Sequence, residues 1–266
     1  MTPGEIEDAA RRLLEAERTG VQCGLLSLAH PGMTLDDAYA VQAALVARKL
    51  AKGRRVIGWK IGLTSRAMQQ ALNITTPDSG VLLDDMLFET GATVPAGRFI
   101  QPRIEAEIAF IMKDGLSGAQ TSRSDVLAAT QAMAPALEIL DTRILRADPA
   151  TGKPRIITDT VSDNAANAGI VLGHERHAPG AADLRWTGCI LKRDGIVEET
   201  GLGAGVLDDP VAGIVWLVKR LAVYGQGLSA GDIVLSGSFI RPVEAPPGSR
   251  FEADFGPFGT VSVAFG

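Results

Sequence analysis

The sequence predicts an α+β protein: a mixed β-roll with an N-terminal helical region. Three observations predict it. Up to about Gly53 the apolar residues recur at helical spacing between start and stop signals. From Val56 they alternate or cluster in short blocks bounded by Gly, Pro and Asp, as strands do. Beyond that point only one long segment, after Asp209, returns clearly to the helical period. Residues 1–55 are therefore read as a helical region packed on the core, and residues 56–266 as the β-rich domain.

With 266 residues the chain can bury a sizeable core. Hydrophobic residues make up 46% and charged residues 21%, the balance of an ordinary globular protein. The net charge is −5, and no Lys/Arg cluster has aromatics interleaved, so no nucleic-acid partner is expected. Cys23 and Cys189 form neither a disulfide framework nor a metal-binding pair. The start, Met1-Thr2-Pro3-Gly4-Glu5, does not read as a signal peptide, and no apolar run has the length of a membrane span. A cytoplasmic protein with no membrane partner is expected.

In order, Thr2 can cap a first helix, with Pro3 at its first position and Glu5 closing a capping box. It should run to about Arg18 and end near Gly20. A second helix should start at Thr34, carry Ala38, Val41, Leu45 and Val46 on one face, and stop at Gly53. Val56 to Thr64 reads as a strand. It contains Lys60, which is either an edge-strand lysine or an ammonium aimed at a developing oxyanion. Ser65 is expected to cap a short helix through Leu72. Thr76 to Gly80 reads as a turn, where Asp78 would bond its own backbone.

Further on, a helix is expected from about Ser124 to Met133 and a loop from Arg146 to Pro154. Arg155 to Val161 reads as an apolar strand. Ser162 to Gly169 reads as a short capped helix whose small side chains let backbone groups approach a ligand. Asp194-Gly195 marks a hairpin. Gly201 to Gly205 lacks the parallel strand that should lead into a nucleotide-binding loop. Asp209-Pro210 caps an amphipathic helix with Val211, Ile214, Val215, Val218 and Leu221 inward and Gly225 after it. Asp232 to Ile240, Arg250 to Phe255 and Thr260 to Phe265 complete the strands. His30, His174 and His177 sit in loops without ligand spacing.

The chemistry concentrates in Gln101 to Phe110. Ile104, Ala106, Ile108 and Phe110 alternate with Glu105, Glu107 and Ala109, so both carboxylates project from one face of a strand. Glu138 lies in a second such run, Ala134 to Asp141. Like charges held side by side repel and are costly to bury unpaired, so something positive should lie among them. Three carboxylates with water suit a hard ion, Mg²⁺ or Mn²⁺. A solvated strand face with an ion-paired glutamate is the alternative that spacing leaves open.

Gly58-Trp59-Lys60-Ile61-Gly62-Leu63-Thr64-Ser65, Pro77-Asp78, Pro102 to Glu107, Pro135-Ala136-Leu137-Glu138 and Asp159 to Gly169 follow one another in that order. As a set they resemble the 2-keto-4-pentenoate hydratase family of the fumarylacetoacetate-hydrolase-like superfamily, from about Thr34 to the C-terminus. Asp183 to Trp186, Gly195 to Gly201, Ser238 to Val243 and the Asp148-Pro149…Pro154-Arg155 loop are most similar to one branch. That branch hydrates 2-oxohept-3-ene-1,7-dioate in homoprotocatechuate degradation.

The resemblance implies a fumarylacetoacetate-hydrolase-like β-roll and a small-molecule 2-oxo acid substrate. It implies that Glu105, Glu107 and Glu138 ligate Mg²⁺ or Mn²⁺ and that Lys60 and Asp78 are catalytic. It also implies a homo-oligomer, pentamer or decamer, and a complex with a decarboxylase or aldolase of the same pathway. Relatives that decarboxylate 4-oxalocrotonate share the glutamates but lack an aspartate at the position of Asp78. Relatives that hydrolyse carbon–carbon bonds carry aspartate as third ligand and a His–Glu pair. Both departures point to a hydratase.

A dioate has a second carboxylate, so a site selecting it should offer a cation. Arg103, Arg143, Arg155 and Arg241 lie near the motifs. Arg241 is preferred because it follows a strand and matches the dioate branch; a structural arginine is the alternative. Ser162 is taken as a second substrate-binding residue. The rival readings are a 4-oxalocrotonate-type decarboxylase, a 2-oxopent-4-enoate hydratase, an acylpyruvate hydrolase and a non-catalytic partner subunit.

Overall fold

Paired side-chain caps set the N-terminal helices. The computed structural model describes residues 1–71 and 74–266, with backbone alone at 67, 68 and 71. In α1 (Pro3–Thr19) the Thr2 hydroxyl accepts from the Glu5 amide, and the Glu5 carboxylate accepts from the Thr2 amide at 2.7 Å. Gly20 closes that helix at φ 71°, where a side chain would be strained. A single turn, α2 (Leu26–Ala29), precedes α3 (Leu35–Leu50), which repeats the capping box with Thr34 and Asp37. Leu13, Leu26, Val41 and Leu45 pack with Ile144 in an apolar cluster of their own. Each fully buried side chain of this kind contributes about 1.5–3 kcal/mol relative to exposure.

The strands in chain order are β1 (Val56–Gly62), β2 (Asp78–Leu83), β3 (Leu87–Glu89), β4 (Thr93–Val94), β5 (Arg103–Met112), β6 (Thr130–Leu140), β7 (Asn167–Leu172), β8 (Gly188–Arg193), β9 (Ile196–Leu202), β10 (Ile233–Leu235), β11 (Val243–Glu244), β12 (Arg250–Asp254) and β13 (Thr260–Phe265). Among the described residues they form two mixed sheets where the sequence suggested one. The larger runs β2-β1-β10-β5-β6-β7-β3, with β11 also on β5; the smaller runs β4-β13-β12-β8-β9. One face of β5, with Ile104, Ala106, Ile108 and Phe110, shares a core with Phe251, Ala253, Val261 and Val263 of the smaller sheet. The pleat therefore turns Arg103, Glu105 and Glu107 to the opposite face.

Of the remaining helices, α4 (Arg66–Ala71) follows Ser65; Leu72, its expected last residue, lies outside the described residues. The helix expected to reach Met133 is α5 (Arg123–Ala129), because the ladder with β5 captures the chain from Thr130 onward. Arg155 to Val161 is not a strand. It leads into α6 (Ile157–Ser162), despite its β-branched residues, because the buried Asp159 carboxylate accepts from the Ile156 amide and from the Ser27 amide and hydroxyl. Ser162 to Gly169 is not a capped helix either. Asn164, Ala165 and Ala166 take left-handed φ of 53°, 52° and 57°, and β7 follows. Asn164 holds this turn by bonding both backbone groups of Val81, at 2.8 and 2.9 Å.

The expected turn at Thr76 to Gly80 ends at Pro77, since Asp78 already pairs with Gly62 across β1 and β2. As expected, Asp209 caps α7 (Pro210–Ala222), whose Val211, Ile214, Leu217 and Val218 enter the core between the sheets. Asp194 and Gly195, at φ 53° and 82°, make the tight β8–β9 hairpin.

Candidate active site

Glu105 stands opposite Glu138 in the β5–β6 register, and Glu107 is one pleat further along β5. One oxygen from each of the three carboxylates lies within 4.8 Å of the others; among the described residues no other group of three His, Cys, Asp or Glu does so. Glu107 and Glu138 are buried, and Glu105 borders a cavity. Glu107 Oε2 accepts from the Gly237 amide at 2.7 Å. Glu138 Oε1 accepts from Asn167 Nδ2 at 2.7 Å and lies 3.4 Å from Lys60 Nζ. Glu107 Oε1 and Glu138 Oε2 are buried without a hydrogen-bond partner among the described residues.

Buried anionic oxygens left without partners are costly, and an all-oxygen set of this kind fits a hard divalent cation. Without one, the carboxyls resist ionisation. Burial, then repulsion from Glu138, pushes Glu105 up to about 8, against the pull of Lys60 and Arg103. Burial, Glu138 and Glu105 push Glu107 well above the usual carboxylate range, although the Gly237 N–H opposes this.

Gly237 explains how the site opens within a sheet. The strand expected from Asp232 to Ile240 pairs regularly only over Ile233–Leu235. At Gly237 the backbone turns to φ 116°, and its N–H goes to Glu107. A Cβ there would lie 2.3 Å from Thr64 Oγ1, so no larger residue fits.

Lys60 and Asp78 come from adjacent antiparallel strands and close over Gly62. A Cβ on Gly62 would lie 2.2 Å from Asp78 Oδ1 and 2.9 Å from Lys60 Nζ. Burial would drive the Lys60 ammonium toward neutrality, but Glu138, Asp78, Glu105 and Glu107 outweigh it and keep the charge. Burial raises the Asp78 carboxyl, which Lys60 opposes only in part. Asp78 Oδ1 has no hydrogen-bond partner among the described residues.

No family model matches the chain. It is, however, 48% identical over 256 residues to the 2-oxo-hept-4-ene-1,7-dioate hydratase of Escherichia coli, covering 96% of each chain. The 2-keto-4-pentenoate hydratase of Paraburkholderia xenovorans (strain LB400) is 39% identical, over 100% of this chain and 96% of its own. The chain belongs to the 2-keto-4-pentenoate hydratase family. The chain also superposes on the 4-oxalocrotonate decarboxylase from Pseudomonas putida G7, complexed with magnesium and adipate. The TM-score is 0.93 at 30% identity, over 100% of this chain and 98% of that one. The fumarylpyruvate hydrolase of Pseudomonas aeruginosa, in complex with Mn²⁺ and pyruvate, shares the fold at a TM-score of 0.59 and 14% identity.

The fold brings Lys60, Asp78 and Glu105 to one cavity of ≈ 630 Å³, which Arg103, Arg155 and Arg241 also line. Arg241 is ion-paired with Glu199, and its side chain is 76% exposed. Ser162 does not line the cavity: it is fully buried, with its hydroxyl donating to Thr158 O at 2.8 Å. Arg143 is a structural arginine, bonded to the Asp163 carboxylate and to the carbonyls of Asp163 and Asn167. Sequence reasoning gave no role to Gly62, Asn167 or Gly237. The first two lie inside the family motifs, which was a usable signal. Gly237 acts through its backbone N–H, which leaves no side-chain pattern to read.

Proposed function

We propose that this hydratase adds water to a 2-oxo-alkenoate, taking 2-oxohept-3-ene-1,7-dioate to 4-hydroxy-2-oxoheptanedioate in aromatic catabolism. The observation that carries the reading is the closure of Lys60 and Asp78 over Gly62, beside three glutamates, at one cavity. The name of the Escherichia coli relative supports the dioate. That name has the double bond at C4, whereas water addition at C4 needs it at C3, in conjugation with the 2-oxo group. The shared dienol links the two isomers: a proton leaves C3 and another arrives at C5.

A divalent ion, Mg²⁺ or Mn²⁺, held by Glu105, Glu107 and Glu138 would supply Lewis acidity to the 2-oxo acid group. Lys60 keeps its charge in the buried site and sets an ammonium beside the oxygen that gains negative charge. Asp78 takes one proton from water as the water oxygen bonds to C4. The electron pair of the C3–C4 double bond moves to the enolate, and C3 then receives a proton. The proton count closes, with hydroxyl at C4 and hydrogen at C3.

The likeness to a decarboxylase supports one rival, loss of CO₂ from the same class of acid. Incubation with Mg²⁺ and either 2-hydroxyhepta-2,4-diene-1,7-dioate or the six-carbon 2-oxohex-3-enedioate, whose distal carboxylate is placed for loss through the conjugated 2-oxo group, decides between them by product mass. Gain of water by the seven-carbon acid is expected; no turnover of it, with loss of CO₂ from the six-carbon acid, would overturn the reading.

The reading includes a homo-oligomer, pentamer or decamer, able to join a decarboxylase or aldolase of the same pathway. Trp186, Ile190, Ile196, Val197 and Leu202, exposed on or beside the β8–β9 hairpin, support self-association. The free thiols of Cys23 and Cys189 suit a reducing compartment and support a cytoplasmic location. Among the described residues no helix is long and apolar enough to cross a membrane.

A further inference from the structure

We propose that Arg103 and Arg155, rather than Arg241, form the subsite for the carboxylate of the substrate farthest from the 2-oxo group. The inference deepens the hydratase reading and rests on it. Its starting point is an imbalance among the arginines near the cavity. Arg143 pairs with Asp163, Arg146 with Glu244 and Arg241 with Glu199. Arg103 and Arg155 line the cavity, yet neither has a carboxylate within 4 Å among the described residues. Arg155 donates to the Thr142 hydroxyl, and the Arg103 side chain has no hydrogen bond among the described residues.

Both arginines are half-buried. Burial and neighbouring cations disfavour their charge: Arg146 acts on Arg103, where Glu244 and Glu105 oppose it in part, and Arg103, Arg146 and Arg143 act on Arg155, where Asp163 opposes them in part. Guanidinium groups remain charged all the same. Two such groups beside a cavity, with no carboxylate of the described residues in ion-pair contact, are preorganised for one, which a guanidinium binds in a bidentate fork.

The spacing fits a dioate. Arg103 precedes Glu105 by two residues on β5, so the two share a face about 7 Å apart along the strand. The carbon chain of an extended heptanedioate spans a similar length. With the 2-oxo acid end at Glu105 and Lys60, the other end falls within reach of Arg103. Leu140, the cross-strand partner of Arg103, and Ile240 also line the cavity and offer apolar contact to the carbons between. A 2-oxo monoacid leaves the arginine pair without an anion. The cavity thus carries its own selection for a second carboxylate.

The test compares two substrates and two non-reactive probes. Arg103→Met, Arg155→Met and the corresponding Gln variants are assayed with 2-hydroxyhepta-2,4-diene-1,7-dioate and with 2-hydroxypenta-2,4-dienoate. With Mg²⁺ saturating for each variant, so that the loss of Arg103 beside Glu105 does not show as lost metal, KM for the dioate should rise about ten- to hundredfold, while KM for the monoacid stays within about twofold. The Gln variants cover the case in which Met at a half-buried site impairs folding, as judged by thermal melting. Calorimetry with 2-oxoheptanedioate and 2-oxopentanoate, neither of which can be hydrated, should show the same loss for the diacid alone. This binding arm stands even if the proposed reaction proves wrong, so the two failures are distinguishable. Equal losses for both acids, or loss of discrimination in Arg241→Met but not in the Arg103 and Arg155 variants, would overturn the assignment.

Discussion

Glu105 and Glu138 are direct cross-strand partners in the β5–β6 ladder, two carboxylates face to face on adjacent strands. Like charges in that relation destabilise a sheet, and burial adds a desolvation cost. Lys60, 3.4 Å from Glu138, offsets part of it. Four carboxylates, Asp78 included, still share one ammonium in this corner of the molecule. The arrangement costs the metal-free chain stability, which the proposed divalent cation would restore.

The metal-free protein should therefore lose stability as pH rises. With its folded pKa pushed up from 4.5 to about 8, Glu105 holds a proton in the folded chain across a window in which the unfolded chain has released it. The folded state binds more protons there, so unfolding free energy falls with rising pH, and the contribution present below 4.5 is lost by about 8. The Tm of EDTA-treated wild type should drop through this window relative to Glu105→Gln, whose amide does not titrate. Added Mg²⁺ should raise Tm more at the alkaline end, because the ion and the proton compete. Parallel Tm profiles for the two proteins would contradict this.

Asp78→Asn should lower kcat by about 10²–10⁴-fold, the usual contribution of a general base. Metal affinity should change little, since Asp78 is not among the three clustered carboxylates. The amide keeps nearly the same shape over Gly62, so a folding defect is not the expected cause. Turnover near that of wild type would return Asp78 to a structural role at the start of β2.

Much of this site was legible because its signals are local. The alternation around Glu105 and Glu107 fixed one strand face, and the Thr2 and Thr34 caps fixed both long N-terminal helices. Features that depend on distant partners were not legible. Pro77-Asp78-Ser79-Gly80 has the composition of a turn, but pairing with β1 extends it into a strand. Ile156 to Val161 is rich in β-branched residues, but the contacts of Asp159 with Ser27, on another helix, favour a helical turn. Arg241 does line the cavity, but its pairing with Glu199, on β9, is visible only in three dimensions. Arg103 sat in the motif from the start; that no carboxylate of the described residues pairs with it is likewise visible only in three dimensions.

The most direct test of the three-glutamate centre is calorimetric titration of metal-free protein with Mg²⁺ or Mn²⁺, using wild type and Glu105→Gln, Glu107→Gln and Glu138→Gln. One ion per chain is expected in wild type. Each substitution removes a charged ligand, so affinity should fall at least about tenfold, no less than for a lost outer-shell partner. Far-UV circular dichroism should stay unchanged. Unaltered affinity in all three variants would show that the ion, if bound, is held elsewhere.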